Sequence, residues 1–161
     1  MNNEIKEDRR NSKNEEIRDL VSKAKKVCFS FFKKDYKYSA KEAVEELGLD
    51  DELIHQLLED YVAQIIKAII QFEEMLYLLQ SQKDAQKNLE YTDLKELAHK
   101  NLGVARNLRI KDAEILLNDL MKKDDLVYLF KCIEVLRATA IVLKPRYAYN
   151  TIKLIEVKST F

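Results

Sequence analysis

Residues 51–81 read DELIHQLLEDYVAQIIKAIIQFEEMLYLLQS, a stretch with neither glycine nor proline. Its apolar residues come in adjacent pairs, Leu53/Ile54, Leu57/Leu58, Tyr61/Val62, Ile65/Ile66 and Ile69/Ile70, each pair four residues after the last. That recurrence predicts one long helix. Four residues overshoot a 3.6-residue turn by about 40°. The apolar face therefore rotates along the helix, and its two ends are expected to meet different neighbours. Asp50, just ahead of the stretch, has the side chain of a helix N-cap.

Working upstream, Ser39 and Glu42 (SAKE) have the spacing of a capping box. They open a short helix over 40–47 that stops at Gly48, a residue type that tolerates the left-handed turn after a helix. Residues 35–38 read as a linker. Ile17, Leu20, Val21, Ala24, Val27, Cys28 and Phe31 recur at helical spacing over 15–34. Residues 1–14 are polar apart from Ile5 and Met1, and are expected to form a disordered tail.

Downstream, SQKDAQKNLEY (81–91) is a polar connection. Thr92 or Asp93 starts a helix reaching about Arg109, and another follows over 112–122 with Ile115, Leu116 and Leu120 facing inward. Asp124 or Asp125 caps a last long helix to residue 143, which Pro145 closes. Lys131, Glu134 and Arg137 form its only polar stripe, so most of its circumference is expected to be covered. The tail TIKLIEVK (151–158) alternates well enough for a strand but has no second strand to pair with. It is open between a frayed helix, an added strip on the bundle and a self-association edge.

Composition agrees with a helical chain. Only Gly48, Gly103 and Pro145 punctuate 161 residues, against roughly 12% for the two types together in ordinary proteins. Sheet-rich folds need turn residues at many points, and a glycine-rich phosphate loop is excluded. Lys plus Arg is 28 and Asp plus Glu is 28, so the chain lacks the positive field of a nucleic-acid binder. It has no 18-residue uncharged apolar run, and its polar start is not a signal peptide. Cys28 and Cys132 stand singly in apolar helical patterns, as buried reduced thiols of a cytoplasmic protein would. Two histidines, His55 and His99, with no CxxC or HxxxH spacing, do not make a zinc site. His55 reads as a surface or half-buried residue. The acidic run over 41–60 reads as a solvated face, and Phe29, Phe31 and Phe32 as core packing with one or two surface exceptions.

Residues 93–110 carry the chemistry. With Leu94 at zero and 100° per residue, Leu94, Ala98, Asn101, Ala105 and Leu108 share one line, which is the core seam. His99 falls at about 140° and Gly103 at about 180° by the same rule, with Lys95 and Arg106 on that outer side. Glycine inside a helix costs about 1 kcal/mol relative to alanine. Its place one turn after the histidine suggests a need for close access to the ring.

The stretch AHKNLGVARNLRIKDAEILLNDL (98–120) resembles the histidine-containing phosphotransfer (HPt) domains of bacterial two-component relays, whose pattern is Ala-His-x-Leu-Lys-Gly, then small residues and Asn-Leu. AVEELGLDDELIHQLLEDYVAQ (43–64) is similar to that family's first two helices. The likeness spans about residues 40–143. It implies an all-α fold: an antiparallel four-helix, HPt-like bundle over 39–144, an added N-terminal helix and linker over 15–38, and a C-terminal extension over 145–161. It further implies a phosphorelay carrier, not a kinase. His99 would take a phosphoryl group from a receiver-domain aspartate and pass it on, and Gly103 would give access. The partners would be response-regulator receiver domains or a histidine kinase, with no nucleic acid and no membrane. The receiver would supply Mg²⁺, leaving the carrier without a cofactor or metal of its own.

Two positions depart from the family pattern. Its lysine is Leu102 here, so Lys95 or Arg106 must provide the charge, and its buried leucine is Asn101. Residues 93–111 hold five basic side chains (Lys95, Lys100, Arg106, Arg109, Lys111) against Asp93 and Glu96, an excess suited to an acidic receiver pocket. Two alternatives stand beside the carrier: an HPt-like adaptor that docks receivers or kinases without carrying phosphate, and a helical scaffold or dimerisation module.

Overall fold

A computed structural model describes residues 3–35 and 37–159. The described residues form seven helices and no strand: α1 (Asn3–Phe32), α2 (Lys41–Leu47), α3 (Asp51–Asp84), α4 (Thr92–Asn107), α5 (Lys111–Lys122), α6 (Leu126–Leu143) and α7 (Pro145–Ser159). The chain is all-α.

The two most apolar helices form the axis. His55 at the start of α3 touches Lys144 at the end of α6, while Tyr77 late in α3 stacks on Phe130 early in α6, ring centres 5.2 Å apart. The pair is therefore antiparallel. Ile65, Phe72 and Leu76 of α3 and Leu129, Val135 and Leu136 of α6 are all fully buried. On one flank α4 packs against α3 and α5, and α5 against α6; on the other, α1 packs against α6, and α7 against α3, α6 and α1. The rotating apolar face of α3 accounts for its having four partners, α2, α4, α6 and α7. On α6 only Val127, Glu134 and no residue between them lies exposed, as the thin polar stripe requires.

Helix starts follow the sequence closely. Asp50 accepts from the Leu53 amide at 2.8 Å, Asp125 accepts from Val127 and Tyr128, and Pro145 opens α7, where its missing N–H costs nothing. Gly48 ends α2 with φ 67°. The capping box over 39–42 does not form. Ala40 takes the N-cap position, Ser39 accepts only from Lys41 at 3.3 Å, and the Glu42 carboxylate turns to Lys111 at 3.5 Å instead.

Two further expectations need correction, and one reading left open is resolved. Residues 3–14 are helical, not a disordered tail; Met1 and Asn2 lie outside the described residues. The segment contains no helix breaker and is rich in Glu, Lys and Arg, which have good helix propensity. α7 anchors the end of this segment and the turn after it, through Lys13 over the Tyr149 ring and the Tyr149 hydroxyl donating to Glu16. Of the readings open for 151–158, the added strip on the bundle agrees with the structure: the segment is part of α7 rather than a strand or a frayed end. Ala148, Thr151, Ile152 and Ile155, at helical i, i+3, i+4, i+7 spacing, seat it on the bundle. Thr160 and Phe161 lie outside the described residues. On α5, Leu116 and Leu120 are buried as expected, but Ile115 is half exposed and Leu117 takes its inward place.

Both cysteines are free and fully buried, and burial pushes both thiols up to about 11. Phe31 and Phe32 pack against the core while Phe29 is exposed. Tyr61 is buried with its hydroxyl unpaired among the described residues. An unsatisfied buried donor costs about 1–3 kcal/mol. Tyr61→Phe is therefore expected to stabilise the protein by about 1 kcal/mol, read as a higher urea midpoint at unchanged slope. A lower midpoint would mean that the hydroxyl is hydrogen-bonded in solution.

Candidate functional site

α4 is held by its seam. Leu94, Ala98, Asn101, Ala105 and Leu108 are all buried, as the projection places them. Asn101, polar on that line, is satisfied within its own helix: its side-chain amide donates to the Leu97 carbonyl at 2.9 Å. α4 ends in a Schellman turn. Arg109 adopts φ 59°, its amide bonds to Arg106 O, and the Ile110 amide bonds back to Ala105 O.

The opposite face carries the candidate residues. His99, Gly103, Lys95 and Arg106 are all exposed, and the His99 ring makes no hydrogen bond or ion pair among the described residues. A Cβ at Gly103 would meet nothing within 4 Å, so close packing does not explain the glycine. Helical side chains lean toward the N-terminus. A side chain at 103 would lie back over the turn that bears His99, and its absence leaves the ring open on that side.

The two candidate cations differ in position. Lys95 leans away from His99: its ammonium sits 5.8 Å from the centre of the Tyr91 ring, one turn further toward the N-terminus. Such an exposed cation–π contact is worth about 0.5–1 kcal/mol, so Lys95 is weakly held and can swing back. Arg106 stands seven residues after His99, about 10 Å along the axis. Its lean is toward position 103, where an added Cβ would meet nothing within 4 Å.

Leu102 is 1% exposed. It belongs to the core and offers His99 no charge. The local excess of positive charge is also smaller than the sequence count. Arg109 is bound to Glu46 of α2, Nε to Oε2 at 2.6 Å, and Lys111 pairs with Glu42. These two side chains fasten α2 to the α4–α5 corner, which leaves Lys95, Lys100 and Arg106 to face a partner. Neither diversion is visible from spacing, because Glu42 and Glu46 lie on a separate helix.

His55 is half-buried beside Lys144 rather than near His99. Among the described residues no group of three or more His, Cys, Asp or Glu could hold a metal ion, and no helix is long and apolar enough to cross a membrane. In comparisons with known proteins, no family model, no curated protein and no solved structure matches the chain.

Proposed function

We propose that this protein is a phosphorelay carrier in which α3, α4, α5 and α6 form an HPt-like four-helix bundle and His99 is the phosphoryl acceptor. The supporting observation is the pairing of an exposed, unpartnered imidazole in mid-helix with a glycine one turn on that packing does not require. In the neutral ring one nitrogen keeps its proton and the other offers a lone pair. That nitrogen attacks the phosphorus of a receiver's aspartyl phosphate. An N–P bond forms as the P–O bond to the aspartate breaks, and the carboxylate leaves with the electron pair. Such transfers depend on positioning and on cations around the phosphoryl oxygens. Arg106, and Lys95 once released from Tyr91, supply positive charge on this chain. The receiver supplies the Mg²⁺ and the rest of the site.

The test is incubation with phosphorylated receivers, or with the cognate kinase and labelled ATP. An acid-labile, base-stable label on the wild type that His99→Gln lacks is the expected result, with the variant's thermal melt unchanged. Label retained in His99→Gln overturns the assignment.

One observation favours a second reading. Because Leu102 is buried, the position one turn after the acceptor offers it no charge, as an adaptor that binds receivers without carrying phosphate would permit. Tight receiver binding with no label in the wild type selects it.

A further inference from the structure

Away from α4, α1, the 37–40 linker, α3 and the α6–α7 corner enclose a cavity of about 420 Å³. That volume lies within the range of small-molecule sites, roughly 300–1,000 Å³. Val21, Leu58 and Val142 give it an apolar wall, and Lys25, His55, Lys144 and Tyr38 are its charged or titratable lining, the Tyr38 hydroxyl being used in donating to Leu108 O.

The polar groups are organised. The Lys144 ammonium lies 3.0 Å from His55 Nδ1. An ammonium only donates, so Nδ1 accepts and the ring is neutral, with its own proton on Nε2. Asp51 Oδ2 lies 3.5 Å from Nε2, on an exposed side chain and without a hydrogen bond to the ring. The imidazole thus orients the lysine without neutralising it. Two further N–H donors of Lys144 remain unused among the described residues, and neither Lys144 nor Lys25 has a carboxylate at ion-pair distance. The result is a concave, partly apolar site with two uncompensated ammonium groups, one of them held in place.

We propose that this cavity binds a small organic anion with an aliphatic body. The anionic head would lie between Lys25 and Lys144, and the chain against Val21, Leu58 and Val142. A cationic or purely polar ligand would leave either the two charges or the apolar wall unmatched.

Calorimetric titration of the full chain with octanoate, acetate, octanol and octylammonium tests this. Octanoate is expected to bind one-to-one and about tenfold or more tighter than each of the others, a difference of about 1.4 kcal/mol. Lys144→Met and Lys25→Met are each expected to weaken octanoate at least several-fold with an unchanged melt. Equal binding of octanoate and octanol, equal binding of octanoate and acetate, or full affinity in the Lys25→Met/Lys144→Met double variant overturns the proposal. If a variant fails to fold, the ranking of the four ligands on the wild type still decides. No residue of this cavity lies on α4, so the outcome is independent of the phosphorelay reading.

Discussion

Replacing Leu102 by lysine, the residue that the HPt pattern carries there, is expected to cost about 3–5 kcal/mol of stability. Two effects add. Removing a leucine from a site 1% exposed forfeits about 1.5–3 kcal/mol of burial. The ammonium must then either stay desolvated or bend its stem out past the α4–α5 contact, and that escape limits the penalty without removing it. Against a typical total of 5–15 kcal/mol, much of the fold's margin disappears. The measurement is urea unfolding of the purified variant, with Leu102→Met as the volume-conserving control, expected within about 1.5 kcal/mol of wild type. A cost under about 1 kcal/mol, together with faster phosphoryl uptake, would show that lysine reaches the surface and that the site had merely lost its usual cation. The result therefore bears on function as well as on stability: it asks whether position 102 is free to serve the histidine at all.

Burial at position 102 was open to the same projection that placed His99. On the 100° rule Leu102 sits at about 80°, between the seam at zero and the exposed group beyond 100°. An angle cannot say how far round the helix its neighbours reach; Leu102 is 1% exposed, so they reach that far, and position 102 goes to the core. His99 and Gly103 lie well beyond any such margin, which is why their exposure was legible from periodicity alone. The partners of Lys95, Arg109 and Lys111 were not, because each depends on where Tyr91, Glu46 and Glu42 are carried by the rest of the fold.

Helix starts and helix ends differ in the same way. The starts at Asp50, Asp125 and Pro145 bear side chains with a local chemical reason to be there. The ends of α1, α3 and α4 turn instead through Lys33, Gln86 and Arg109, all with φ near 60°. Glycine would be the favoured residue at such points, and its absence removes the signal that marked Gly48. The polar first turns of α1 misled, and the apolar–polar alternation of 151–158 left the tail undecided, for a related reason. Both segments have weak local patterns, and both are held by contacts between α1 and α7 through Tyr149, two segments more than a hundred residues apart.

Gly103 gives the sharpest separation of structural from functional roles. Gly103→Ala is expected to stabilise the protein by about 1 kcal/mol, since a helix-interior glycine carries that cost and an added methyl meets nothing within 4 Å. Gly103→Leu keeps most of that gain, because leucine is also a strong helix former. Its side chain, however, leans over the turn bearing His99 and into the path from Arg106. Phosphoryl uptake from a receiver is expected to fall about tenfold or more in Gly103→Leu, equivalent to about 1.4 kcal/mol in the barrier, and less in Gly103→Ala. Stability and transfer should thus move in opposite directions across one series, measured by urea unfolding and by the initial rate of label uptake. If both fall together, the glycine is packed against something and its role is structural. If stability rises while uptake holds constant through leucine, access at 103 is irrelevant and the open flank beside the imidazole loses its functional meaning.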